Sequence, residues 1–117
     1  MEKVKWHKVA DNRAAIDWQT NRMALIDAAG KKVTLALHND QLFAFAHKCP
    51  HASGVMADGF IDATGNIACP LHRFRFSIKN GRNISGEGYY LKVYHVEERE
   101  TGIYVGFEDN NWLSIFK

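Results

Sequence analysis

Two short segments of the sequence each bring a cysteine and a histidine close together. The first reads Cys-Pro-His at 49–51, the second reads Cys-Pro-Leu-His at 69–72, and seventeen residues separate the two segments. Thiolate and imidazole groups are ligands of zinc ions and of iron–sulfur clusters. Each segment offers one sulfur and one nitrogen ligand, and the proline after each cysteine restricts the backbone there. These residue types make the two segments candidate metal-binding loops.

Two predicted hairpins position these segments. Val33 to His38 alternates apolar and polar residues, Asn39 and Asp40 supply a turn, and Gln41 to Ala46 has strand character. A second turn, at 62–66, lies between short strands at Gly59 to Ile61 and Ile67 to Cys69. Because each Cys-His segment follows a predicted strand, a rigid sheet could hold the two loops face to face.

The rest of the chain also favours strands. Arg75 to Ile78, Leu91 to Val96 and Ile103 to Phe107 have strand character, and helical periodicity is limited to one turn within Asp11 to Asp17. No repeat or linker divides the chain, so we expect residues 1–117 to form a single domain. The pattern predicts an all-β fold, a small antiparallel sandwich or partly closed barrel, with the Cys-His loops at about 47–55 and 68–77.

Composition argues against several classes of function. The 117 residues are 46% hydrophobic and 24% charged, as in an ordinary soluble domain, and a net charge of +2 is too small to indicate nucleic-acid binding. No segment approaches the roughly 18 apolar residues of a membrane span. The first ten residues lack the apolar core of a signal peptide. We therefore expect a cytoplasmic protein with neither nucleic-acid nor membrane partners.

The two cysteines leave a second interpretation open. Cys49 and Cys69 could form a disulfide across a loop of about twenty residues, which would stabilise the fold by roughly 3 kcal/mol. In a reducing compartment, metal ligation is the better expectation for paired cysteines with neighbouring histidines. The remaining histidines have no ligand spacing and are interpreted as surface or strand residues: His7, His38, His47 and His95.

The ligand pattern resembles that of the Rieske family. Its motif is Cys-x-His, then fifteen to seventeen residues, then Cys-x-x-His, and this sequence matches it at all four positions. The resemblance implies a [2Fe-2S] cluster in a cluster-binding subdomain of two loops. Cys49 and Cys69 would bind one iron, and His51 and His72 would bind the other. Neutral imidazoles in place of two thiolates make such a cluster less negative and raise its potential.

The sequence also departs from parts of the family pattern. High-potential members carry a disulfide between the loops and hydroxyl groups that donate to the cluster sulfurs. Here Gly54 and Leu71 occupy the positions of those extra cysteines, and Phe74 and Phe76 occupy the positions of the hydroxyl residues. The resemblance therefore implies a potential toward the lower end of the roughly −150 to +300 mV Rieske range. Arg73 stands where the family usually has glycine.

By this resemblance the chain is expected to be a ferredoxin that carries single electrons from a flavin-containing reductase to a terminal oxygenase. The first alternative is a small subunit of an NAD(P)H-dependent nitrite reductase, which would bind a large reductase subunit. The second is a zinc-stabilised binding module that uses the same ligands. Rieske oxygenases add a mononuclear iron site for which no residue set is found here, so we do not expect catalysis by this chain alone.

Overall fold

The structure is a computed structural model that describes residues 3–50, 54–71, 74–86 and 88–109. This part of the chain is built mainly from antiparallel strands. The strands are β1 (Lys3–Ala10), β2 (Met23–Ala28), β3 (Lys31–His38), β4 (Gln41–Ala46), β5 (Phe60–Ile61), β6 (Asn66–Ala68), β7 (Arg75–Ser77), β8 (Val93–Arg99) and β9 (Gly102–Asp109). Two single turns of 3-10 helix occur at Arg13–Ala15 and Met56–Asp58.

The strands form one large sheet and one small sheet. The large sheet has six strands in the order β1-β9-β8-β4-β3-β2, and the small sheet has three in the order β5-β6-β7. The large sheet curls into a half-barrel, which brings its edge strands β1 and β2 into contact. The predicted all-β fold is confirmed. No helix in the described part of the chain is long and apolar enough to span a bilayer.

Local sequence patterns predicted two hairpins, and both are present in the structure. β3 and β4 pair from Val33–Ala46 to His38–Gln41. The connecting Asn39 and Asp40 have φ values of 50° and 64°. Asn and Asp tolerate this left-handed conformation, which suits the twist of a two-residue hairpin turn. The second hairpin consists of β5 and β6, with a turn at 62–65.

Other strand predictions were incomplete. The strand expected at Leu91 to Val96 instead begins at Val93 and continues to Arg99, and neither β1 nor β2 was predicted. β1 pairs with β9, almost a hundred residues further along the chain, so its partner lies far outside any local pattern. β7 occupies Arg75–Ser77, so the second Cys-His loop is the shorter segment 69–74 between β6 and β7.

The turn between β5 and β6 is organised by the Asp62 carboxylate. Its Oδ1 accepts hydrogen bonds from the backbone N–H groups of Thr64 and Asn66, each at 3.0 Å, and from the Thr64 hydroxyl at 2.8 Å. Partial burial raises the pKa of Asp62, but the hydrogen bonds from Asn66 and Thr64 outweigh that effect and leave the pKa below its usual value.

We expect Asp62→Ala to lower the free energy of unfolding by about 1–2 kcal/mol, because three donors lose their acceptor. Asp62→Asn should lose less, since its Oδ1 can still accept. With a folded-state pKa below the unfolded value, the wild-type contribution is complete above about pH 4 and is lost as the pH falls through the folded value. Urea unfolding at pH 7 and pH 3 measures this. An Asn variant with the same acid sensitivity as wild type would contradict it.

Candidate metal centre

The first Cys-His loop is closed at its base by backbone hydrogen bonds. After β4 ends at Ala46, Lys48 forms an isolated antiparallel bridge with Val55. The Cys49 N–H donates to the Gly54 carbonyl at 2.8 Å, and the Met56 N–H donates to the His47 carbonyl at 2.9 Å. These bonds fix Cys49 relative to β4. His51 belongs to residues 51–53, outside the described part of the chain.

The second loop is closed in the same way. The antiparallel pairing of β6 and β7 ends at Ala68 and Arg75, and the Cys69 N–H donates to the Phe74 carbonyl at 2.8 Å. Cys69 therefore starts a short loop at the end of a two-strand ladder. His72 and Arg73 lie outside the described residues.

The two cysteine side chains meet between the loops. Both are free thiols, and only 3% of Cys49 and none of Cys69 is exposed. Burial, followed by the interaction with the Cys49 thiol, raises the pKa of Cys69 to about 11. Without a cation, Cys69 is therefore protonated at neutral pH. Two buried thiols in contact fit a shared iron, whose positive charge would favour both thiolates.

Both cysteines are part of the hydrophobic core that joins the two sheets. Its buried residues come from the large sheet, both loops and the small sheet: Met23, Ala36, Phe45, Cys49, Met56, Ala57, Ile67, Cys69, Phe76, Ile78 and Leu91. This packing holds the thiols rigidly and keeps water from them. In the described ranges, no three His, Cys, Asp or Glu side chains gather at one place. His51 and His72, the histidines expected to complete the ligand set, lie outside the described residues.

The structure also brings together Gly54 and Leu71, the positions that the family resemblance matches to the extra cysteines of high-potential members. A Cβ atom on Gly54 would lie 3.1 Å from Leu71 Cγ and 3.1 Å from Cys69 Sγ. Leu71 therefore lies over the first loop while 45% of its surface stays exposed. The motif spacing predicted the four candidate ligands, but the position of Leu71 over the first loop is visible only in the folded chain.

The histidines outside the motif have neighbours other than the two thiols. The exposed His95 ring lies 3.2 Å from a Glu108 carboxylate oxygen, and His7 packs beside Phe107. His47 is the exception, since its Nδ1 is buried without a hydrogen-bond partner in the described structure. The one sequence feature that could have singled out His47 is its position near the first loop.

A compact curled sheet and a small sheet that present two Cys-His loops define a cluster-binding electron-transfer domain. The family model for the Rieske [2Fe-2S] domain matches residues 5–94. The chain belongs to the Rieske [2Fe-2S] domain family. The cofactor of this domain is a [2Fe-2S] cluster, which replaces both the disulfide and the zinc interpretation.

Similar proteins include ferredoxin components of oxygenase systems. The chain is 24% identical to a 3-phenylpropionate/cinnamic acid dioxygenase ferredoxin subunit from Photorhabdus laumondii, over 62% of this chain and 70% of that protein. It is 33% identical to the ferredoxin component of a naphthalene 1,2-dioxygenase system from Pseudomonas aeruginosa, over 49% of this chain and 54% of that protein. The chain thus spans about half the length of the latter relative.

Solved structures show the same fold. The carbazole 1,9a-dioxygenase ferredoxin from Nocardioides aromaticivorans has a TM-score of 0.71 and 25% identity, over 86% of this chain and 96% of that one. A Mycobacterium tuberculosis protein named as an NADH-dependent nitrite reductase small subunit has a TM-score of 0.70 and 18% identity, over 92% and 96%. At that identity the second likeness concerns the fold alone.

Proposed function

We propose that this chain is a Rieske ferredoxin that carries one electron at a time from a flavin-containing reductase to a terminal oxygenase. The observation that carries the proposal is the pair of buried, contacting thiols at the bases of two loops in a Rieske domain. Ferredoxin components among the similar proteins support the oxygenase context. In this proposal Cys49 and Cys69 hold one iron, and His51 and His72 hold the other.

The bound cluster supplies reversible one-electron chemistry. The chain's own contribution is to keep the site rigid and dry, so that little reorganisation accompanies electron transfer. Cys49 and Cys69 are anchored by the backbone bonds to Gly54 and Phe74 and are packed within the core. Phe74 and Phe76 offer no hydroxyl donor, so the extra charge of a reduced cluster is less stabilised, and we expect a potential in the lower part of the Rieske range.

The nitrite reductase alternative ranks lower. The solved structures with that name are 22% and 18% identical to this chain, so they support the fold and not the activity. We also propose that residues 1–117 act as one cytoplasmic domain and that the chain is not an enzyme by itself. Co-purification of this chain with a large reductase subunit would rank the nitrite reductase alternative above the ferredoxin proposal.

Spectroscopy and turnover together test the proposal. Protein purified without oxygen and reduced with dithionite should give a rhombic electron paramagnetic resonance signal with an average g below the free-electron value. Addition of the protein to a reductase and a Rieske oxygenase should increase turnover severalfold. Zinc without iron in the purified protein would overturn the cofactor assignment, and undiminished turnover without the protein would overturn the carrier role.

A further inference from the structure

Apolar side chains are exposed around the second Cys-His loop. Six large hydrophobic residues in the described ranges are exposed, and four of them belong to this loop or to the connection between β7 and β8. These four form what we call the tip patch, and their exposed fractions are 45% for Leu71, 51% for Ile84, 41% for Tyr89 and 67% for Tyr90. Apolar side chains grouped in this way commonly mark a contact surface.

Specific contacts hold the tip patch against the second loop. The Ile84 N–H donates to the Arg75 carbonyl at 3.0 Å, and the Arg75 N–H donates to the Ser85 hydroxyl at 3.0 Å. The Tyr89 ring stacks on Phe74, with 6.1 Å between ring centroids. Phe74 in turn closes the loop that begins at Cys69. Tyr89 is therefore fastened to Phe74 at the end of the cluster-binding loop, and Ile84 to Arg75 directly after it.

Exposed cationic side chains lie near the patch. Arg82 is exposed, forms a backbone bridge opposite Tyr90, and lines a shallow surface cavity with Tyr89 and Tyr90. Lys48 is exposed next to Cys49. In the described structure, neither cation has a carboxylate partner. The Asp62 carboxylate is already engaged by Thr64, Asn66 and Arg75.

We propose that the tip patch and its cationic neighbours dock a redox partner protein whose contact face is acidic around an apolar centre. This inference rests on the proposed electron-carrier function and names the partner's surface chemistry. Complementary charge steers encounter and raises association rates, while a small apolar contact allows rapid release. A patch of four side chains suits the small, transient interfaces of electron-transfer complexes, which bury less than about 1,200 Å².

Cytochrome c tests this inference, because one haem protein can be prepared with opposite surface charges. Native cytochrome c is basic, and succinylation of its lysines makes it acidic. The reduced holoprotein should reduce the succinylated form about ten times faster than the native form at low salt, and added salt should remove the difference. A faster reaction with native cytochrome c, or equal rates at low salt, would overturn the inference.

Matched variants locate the surface. Arg82→Glu should slow reduction of succinylated cytochrome c about three- to tenfold at low salt. Lys79→Glu makes the same charge change only three residues away, but Lys79 lies beside His38 and Asn39 near the 62–65 turn, so the rate should change much less. Tyr90→Ser should slow the reaction without changing its salt dependence. Equal rates for all three variants and wild type would overturn the inference.

Further measurements test whether a second copy or the chain's own end covers the patch, and they distinguish a failure of this inference from a failure of the proposed function. Sedimentation should show a monomer, and removal of residues 110–117 should leave the rates unchanged. A dimer that Tyr90→Ser dissociates, or a rate increase after the truncation, would assign the patch to a second copy or to the chain's own end. If the protein has a normal rhombic signal and midpoint potential but reduces native and succinylated cytochrome c at equal rates, the inference is wrong and the proposed function stands. If the protein holds no cluster, both the inference and the proposed function are wrong.

Discussion

Replacing Cys69 with serine is expected to remove the cluster. The variant should retain at most about a tenth of the wild-type iron, because a serine oxygen is a poor substitute for thiolate and the fully buried site admits no replacement ligand. Cys49→Ser should behave in the same way, since the two thiols interact with each other. Iron and sulfide content, the visible absorption and the rhombic resonance signal of reduced protein measure this loss.

Histidine variants test the other half of the ligand set. His51→Ala and His72→Ala should also lose the rhombic signal, while His95→Gln is the matched control, because its ring is exposed beside Glu108. Each variant needs a circular dichroism spectrum to show that the sheets remain folded. Full cluster content in Cys69→Ser, or an equal loss in His95→Gln, would show that the ligand assignment is wrong.

The second large effect is expected at Gly81, where the chain turns from β7 into the connection that carries three of the four tip-patch residues. Gly81 has a φ of +76°, and a Cβ atom there would lie only 1.8 Å from the Leu91 carbonyl oxygen. The same residue donates to the Ser77 carbonyl and accepts from the Leu91 N–H, so the backbone cannot move aside without losing both bonds. Gly81→Ala should therefore lower the free energy of unfolding by about 3 kcal/mol or more.

Gly30→Ala is the control for conformational strain. Gly30 also has a positive φ, of +85°, but among the described residues no atom beyond its two chain neighbours lies within 4 Å of its Cβ position. Its replacement should cost only about 1 kcal/mol, the usual penalty for a side chain in the left-handed region. Urea unfolding of both variants compares the two costs. Equal destabilisation would mean that the contact with Leu91 contributes nothing.

Some of the architecture was readable locally. The β3–β4 hairpin combines period-two alternation with an Asn-Asp turn, and both signals lie within fourteen residues. The 3-10 turn at Arg13–Ala15 was likewise expected, and Asn12 caps it by accepting from the Ala15 N–H. β1 and β2 were not foreseen, since β2 reads Met-Ala-Leu-Ile-Asp-Ala without alternation. Its strand conformation comes from pairing with β3.

The sequence alone determined the chemical types and spacing of the four proposed ligands, because these are properties of residues close together in the chain. It also indicated an all-β fold through short alternating segments and turn residues. Only the tertiary structure decided that Cys49 and Cys69 touch, that Gly81 has no room for a side chain, and that Tyr90 remains exposed. Each of these depends on which distant strands and loops pack together, and side-chain alternation specifies a buried face without specifying the neighbour that covers it.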